Sequence, residues 1–118
     1  MNIDYTTRLH SVFVVDNIDS FQNVVKKVVW AVDFFDTSNP TLKSTGAVES
    51  YLNTDSISST FTPYENVTQT QILQWASDAE GGKDFFDKLL ESGHTAHLEK
   101  LIEDSTLTSK DIKLIPES

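Results

Sequence analysis

The first third of the chain shows the two-residue period of β-strands. From Tyr5 to Val15 apolar and polar residues alternate in part, which predicts a strand with one buried face. The turn-forming residues Asp16–Ser20 end this strand, and a second strand is predicted from Gln22 to Phe35. The predicted apolar face of the first strand comprises Tyr5, Leu9, Phe13 and Val15.

The second predicted strand is apolar on both of its faces. A strand of this kind usually lies in the centre of a sheet, because both faces need cover. Lys27 and Asp33 interrupt the second of these faces. The first face carries Val24, Val28, Trp30, Val32 and Phe34, and the second carries Val25, Val29, Ala31 and Phe35.

A third strand is predicted from Leu42 to Asn53. The segment Asp36–Pro40 separates it from the second strand, because proline has no backbone N–H to donate to a ladder. Gly46 predicts a bulge within the third strand. Consecutive strands joined by short turns are typical of an antiparallel meander, with about three to four strands in this case.

Helix signals begin after the polar linker that ends near residue 60. Thr68 precedes Gln71 by three positions, which predicts a capping box, and Gly81-Gly82 predicts the end of that helix. A second helical stretch starts near Lys83, and Gly93 either ends it or lies within a longer helix. The apolar positions at helical spacing are Ile72, Trp75, Ala76, Ala79, Phe85, Phe86, Leu89, Leu90, Ala96, Leu98, Leu101 and Ile102.

The predicted fold class is α+β, with a small antiparallel meander followed by two or three helices on one face. We expect a single domain over residues 1–118. Its strand-rich part is 1–60, its helical part 61–104 and its tail 105–118.

Composition narrows the classes of function. The 118 residues include 9 Lys or Arg and 18 Asp or Glu, for a net charge of −9. This charge opposes binding to nucleic acid and to anionic membranes. The chain has no cysteine, which excludes disulfides, thiolate metal sites and cysteine nucleophiles. No secretory leader is recognisable at Met1–Tyr5, so we expect folding in a cytoplasm.

Candidate chemistry is sparse. The motifs GxSxG, GxGxxG and GxxxxGK[ST] are absent, so no catalytic residue and no cofactor site is predicted, and we expect a non-enzymatic protein. Glu91, His94 and His97 would share one face of a continuous helix and form a candidate metal site, although surface histidines explain the same pattern. Asp33 is expected to lie at an edge or to face solvent, since a buried carboxylate would need a partner or a raised pKa.

The second face of the central strand is the predicted interface. The helical half is expected to cover one side of the sheet, so another protein would cover Val25, Val29, Ala31 and Phe35. In the alternative interpretation the third strand and the tail close this face. The tail residues concerned are Ile112, Leu114 and Ile115.

The segment Phe61–Trp75 carries a resemblance to a known group of proteins. Its pattern FxPYxxVTxxQILQW resembles a segment of small uncharacterised proteins of tailed phages, especially marine and cyanobacterial ones. In those proteins leucine is usual where Val67 stands, and the segment follows a strand like Val28-Val29-Trp30. Physically, the segment is a joint between sheet and helix, made by Pro63, Tyr64, Thr68, Gln71 and Trp75.

The resemblance implies a phage gene product without a known active site. We therefore expect a virion accessory subunit, capsid-decorating or tail-associated, that is made in the host cytoplasm. Its partners would be virion subunits or further copies of itself. The alternative is an early phage protein that binds a host protein through its acidic surface.

Overall fold

The computed structural model describes residues 1–18, 21–52 and 66–109. In these ranges the chain forms a three-stranded antiparallel sheet followed by helices, so the predicted α+β class is confirmed. The strands are β1 (Ile3–Ile18), β2 (Phe21–Asp36) and β3 (Asn39–Tyr51), in the spatial order β1-β2-β3. The helices are α1 (Gln69–Glu80), α2 (Lys83–Leu89) and α3 (Thr95–Ser105), with a π-helical turn, Leu90–His94, between α2 and α3.

The central strand is β2, as its two apolar faces predict. Trp30 lies opposite Leu9 of β1 and Val48 of β3. The turn between β2 and β3 is tighter than predicted, because β3 already begins at Asn39. Pro40 therefore lies inside β3, where an edge strand tolerates a residue that cannot donate a backbone hydrogen bond.

Two bulges interrupt the pairing of β1 with β2. One lies at His10 of β1 and the other at Lys26 of β2, and the register of the pairing shifts by one residue at each. A one-residue bulge reverses which side chains face the core. The prediction that Tyr5, Leu9, Phe13 and Val15 share one face is therefore wrong beyond Leu9, since Phe13 lies opposite Lys27, on the other side of the sheet.

Gly46 does not form the predicted bulge, because it pairs in regular register with Val32. Glycine at this position instead allows the helical layer to pack closely on β3. A Cβ atom at Gly46 would lie 3.1 Å from His94 Nε2 and 3.3 Å from Leu89 Cδ2. The missing side chain thus lets the π-helical turn and the end of α2 approach β3.

The core lies between one face of the sheet and the helices. Trp30 and Phe34 are almost fully buried there, and Phe86 of α2 packs edge-on against Trp30 with ring centroids 5.9 Å apart. The buried members of this cluster are Val25, Val28, Trp30, Val32, Phe34, Val48, Ile72, Ala76, Phe86 and Leu98.

Local signals set the helix ends. The Thr68 side chain accepts the N–H of Gln71 and the Gln71 side chain accepts the N–H of Thr68, so the capping box is confirmed. Gly81 ends α1 with φ 111°, and Gly93 kinks the chain before α3 with φ 138°, conformations that favour glycine. No helix in the described ranges has the length and apolar character that a membrane span requires.

Candidate protein interface

We call the side of the sheet that points away from the helices the open face. Successive side chains of a strand point to opposite sides, so the neighbours of the buried Trp30 and Phe34 on β2 lie on this face. It mixes apolar, polar and charged side chains. Its central members are Val29, Ala31, Asp33 and Phe35 on β2, flanked by Lys43, Thr45, Ala47 and Glu49 on β3 and by Thr6, Arg8, Ser11 and Phe13 on β1.

Three of the four predicted interface residues lie on the open face. Val29 and Phe35 are half-buried there, and Ala31 is buried. Val25 is placed differently, because the bulge at Lys26 turns it into the core cluster on the helix side. Its assignment to the interface face is therefore wrong. The contact of Val29, Ala31 and Phe35 with a partner stays a prediction.

Asp33 links all three strands across the open face. Its Oδ2 lies 2.8 Å from Arg8 Nε on β1, and its Oδ1 accepts the Thr45 hydroxyl of β3 at 2.5 Å. The residue is only 5% exposed, so the expectation that it faces solvent is wrong. The hydrogen bond from Arg8 lowers the pKa of Asp33 below its usual value, although burial acts in the opposite direction. Asp33 is therefore a paired structural carboxylate.

The hairpin of β1 and β2 extends beyond the three-stranded part of the sheet. Leu52, next to the end of β3, donates its N–H to the Lys26 carbonyl, and beyond that point β1 and β2 pair with each other alone among the described residues. We call the paired segments 14–18 and 21–25 the arm. Val14 and Val15 on the arm are 37% and 36% exposed. Among the described side chains, the apolar ones that the arm exposes are thus those of β1, since Val24 and Val25 on its other strand are buried.

The base of the arm carries a second exposed apolar group. Phe13 is 51% exposed and Tyr51 is 61% exposed. The Lys27 ammonium lies between them, 5.3 Å from the ring centroid of Phe13 and 5.4 Å from that of Tyr51. Its Nζ also lies 3.5 Å from Glu49 Oε1. Cation–π contacts of this kind hold both rings in place at the surface.

Sequence reasoning missed this end of the sheet as a candidate interface. The signal was the run Phe13-Val14-Val15, because three consecutive apolar residues in a strand cannot all point to the same face. At least one of them must lie outside the core. We call Phe13, Val15 and Tyr51, which lie on the open face, together with Val14, which lies on the helix side opposite Val25, the arm patch.

The predicted joint between sheet and helix is described only in its helical part. Thr68 and Gln71 form the cap of α1, and Trp75 is half-buried against the core cluster. Pro63 and Tyr64 lie outside the described residues. The role of the whole segment as a joint stays a prediction.

The two histidines of the candidate metal site both form hydrogen bonds with one serine. Ser44 Oγ lies 2.6 Å from His94 Nδ1 and 2.7 Å from His97 Nδ1. Because the hydroxyl has one proton, it donates to one imidazole and accepts from the other. Among the described residues no three histidine or carboxylate side chains are placed to hold a metal ion. The metal hypothesis therefore lacks a third ligand in this part of the chain.

This serine and histidine cluster attaches the helical layer to β3. Ser44 is 1% exposed, so its hydroxyl is occupied by the two imidazoles and not open to a substrate. The His94 ring also packs on Phe34, with ring centroids 5.1 Å apart. Burial lowers the pKa of His94, and the nearby His97 lowers it further, so His94 favours its neutral form.

Comparison with known proteins gives one family. Neither the curated proteins nor the solved structures include a match to this chain. A family model does match, over residues 2–112, which include all three strands and all three helices. The chain therefore belongs to the family described as a domain of unknown function, DUF7936.

Proposed function

We propose that this protein is a non-enzymatic phage structural protein, a virion accessory subunit that acts by binding other virion proteins. The observation that carries this proposal is the arm with its exposed apolar patch. The resemblance of Phe61–Trp75 to a segment of tailed-phage proteins supplies the phage setting.

The arm favours a role in assembly for a physical reason. A two-stranded ribbon is at best marginally stable in water, and exposed apolar side chains add to that cost. Contact with a neighbouring subunit would cover the ribbon and gain the burial of Phe13, Val14 and Val15. A standard interface buries roughly 800 Å² on each partner, and a paired segment of this size with aromatic anchors at its base can supply much of that area.

Proteomics of purified particles tests the proposal. Mass spectrometry of particles from the phage that encodes this chain should detect it at a constant copy number relative to the major capsid protein. Its absence from washed particles would refute the virion role.

Variants of the arm test the mode of binding. Particles produced without the gene should take up the added purified protein, and Val14→Ser with Val15→Ser should reduce that uptake at least tenfold. Gln22→Ser is the matched control, because it changes an exposed polar residue of the same arm. Equal uptake of the three proteins would show that the arm patch is not the contact.

The net charge of −9 favours one second candidate, an early phage protein that binds a basic surface of a host protein. Virion subunits are made late in infection and host-directed inhibitors early. Time-resolved proteomics of infected cells separates the two, and a stoichiometric host partner recovered together with early synthesis would favour the second.

A further inference from the structure

The outer edge of β1 offers backbone hydrogen-bonding groups. Among the described residues β1 pairs with β2 only. The Asn2 carbonyl accepts from Thr37 N–H, so position 2 directs its backbone groups toward the β2 side. In an antiparallel ladder these directions alternate along the strand, which turns the backbone groups of Tyr5 and Thr7 outward. The Tyr5 N–H agrees with this, since it donates to the Asp4 carboxylate at 2.8 Å and not to β2.

A groove runs beside this edge. Helix α1 forms its opposite wall with Thr70, Leu73, Gln74 and Ser77, which share one helix face by their spacing. The β1 wall is made by Tyr5 and Thr7, and the volume of the groove is about 400 Å³. Phe86 also lines it, with its ring stacked on Tyr5 at a centroid distance of 4.5 Å.

We propose that this groove binds an extended, basic segment of a partner protein, which adds to β1 as a further strand. An exposed strand edge beside a helix is the arrangement in which strand addition works. Main-chain hydrogen bonds to the edge give affinity, and alternate side chains enter the space between strand and helix. The inference rests on the proposed protein-binding role and names a second contact, separate from the arm.

Charge selects the partner. Asp78 of α1 accepts the side-chain N–H of the groove residue Gln74 at 2.8 Å, and the exposed Asp4 lies on the edge strand. Helix α1 has no lysine or arginine. Arg8, the basic residue of β1, is bound to Asp33 on the open face. A second copy of this chain would bring another net charge of −9 to the same edge, which opposes self-pairing. A segment with lysine or arginine between apolar residues complements this surface.

The test uses the full chain and a fluorescein-labelled eight-residue peptide that alternates valine and lysine. Fluorescence anisotropy gives its affinity. A second peptide has the same sequence with N-methyl groups on alternate residues, which removes main-chain donors while keeping side chains and charge. We expect the N-methylated peptide to bind at least tenfold more weakly.

Protein variants localise the binding. Thr70→Lys places a cation on the groove wall, and Gln69→Lys places the same charge one residue away, in the same exposed helix turn. We expect Thr70→Lys to weaken binding at least tenfold and Gln69→Lys less than threefold. Circular dichroism checks that both remain folded, and Ser77→Lys repeats the test at the other end of the groove.

Three results would overturn the proposal. They are equal binding of both peptides, equal loss in the two lysine variants, and a concentration-dependent dimer of the free protein that Thr70→Lys disrupts. An equal loss of peptide affinity in the two lysine variants would show that only net charge matters. A dimer that Thr70→Lys disrupts would show that a second copy of the chain occupies the groove. A chain that is found in purified particles yet binds neither peptide would refute the groove site and leave the virion role intact.

Discussion

Replacing Ser50 with alanine should expose how strongly β3 and α1 depend on one buried hydroxyl. The Trp30 indole N–H donates to Ser50 Oγ at 2.9 Å, and the Ser50 hydroxyl donates to Glu80 Oε1 at 2.8 Å. Ser50 is 0% exposed and Trp30 1%, so the indole N–H of Ser50→Ala would be left buried without an acceptor. An unsatisfied buried donor costs about 1–3 kcal/mol. In the Ser50→Ala variant Glu80 loses its hydrogen bond from Ser50, but water replaces part of that bond because Glu80 is only half-buried.

The expected loss for Ser50→Ala is therefore about 2–4 kcal/mol in the free energy of unfolding. That is a large fraction of the roughly 5–15 kcal/mol that holds a domain of this size together. Urea unfolding followed by tryptophan fluorescence measures it. Ser92→Ala is the matched control, because Ser92 is exposed and should change stability by less than about 0.5 kcal/mol. A loss below 1 kcal/mol for Ser50→Ala would refute the stabilising role of the hydrogen bonds that join Trp30, Ser50 and Glu80.

Substitutions at three further positions test separate features. Thr68→Ala should cost about 1 kcal/mol by removing the α1 cap and Thr68→Ser much less, as measured by urea unfolding. Asp33→Asn should lower the free energy of unfolding by about 1–3 kcal/mol at pH 7. Because the pKa of Asp33 is lower in the folded state, its carboxylate stabilises the fold above the unfolded pKa near 3.8, and this stabilisation is lost as the pH falls through the folded pKa. The stabilities of the parent and the variant should therefore converge in acid. Gly46→Ala should be destabilising in thermal unfolding, since crowding of about 1–3 kcal/mol against His94 exceeds a chain-entropy gain of about 0.4–1 kcal/mol. A stabilised Gly46→Ala protein would show that His94 moves aside freely.

Local signals made α1 predictable from the sequence. Its first turn follows from Thr68 and Gln71 and its end from Gly81, all within a few residues of the helix they limit. The alternation on β2 likewise predicted that Val29, Ala31 and Phe35 share one face. These features depend on neighbouring residues, so a single sequence carries the information.

The bulges were not predictable in the same way. Neither His10 nor Lys26 belongs to a residue type that requires a bulge, and the register shift at each is set by how the whole of β1 pairs with β2. The misplacement of Val25 follows from one of them. The contact of His94 with Ser44 has the same origin, because the two residues are 50 positions apart and only the packing of the helical layer on β3 joins them.

The two bulges also decide what β1 offers to other proteins. Without the bulge at His10, the alternation that turns Leu9 to the core would turn Phe13 there as well, and the arm patch would lose that ring. With it, one strand carries the groove at Tyr5 and Thr7 and the arm patch at Val14 and Val15. At about 3.3 Å per residue these two contacts lie roughly 25–30 Å apart. If both proposed contacts exist, this separation leaves room for two different partner molecules on one copy, as the proposed accessory role would require.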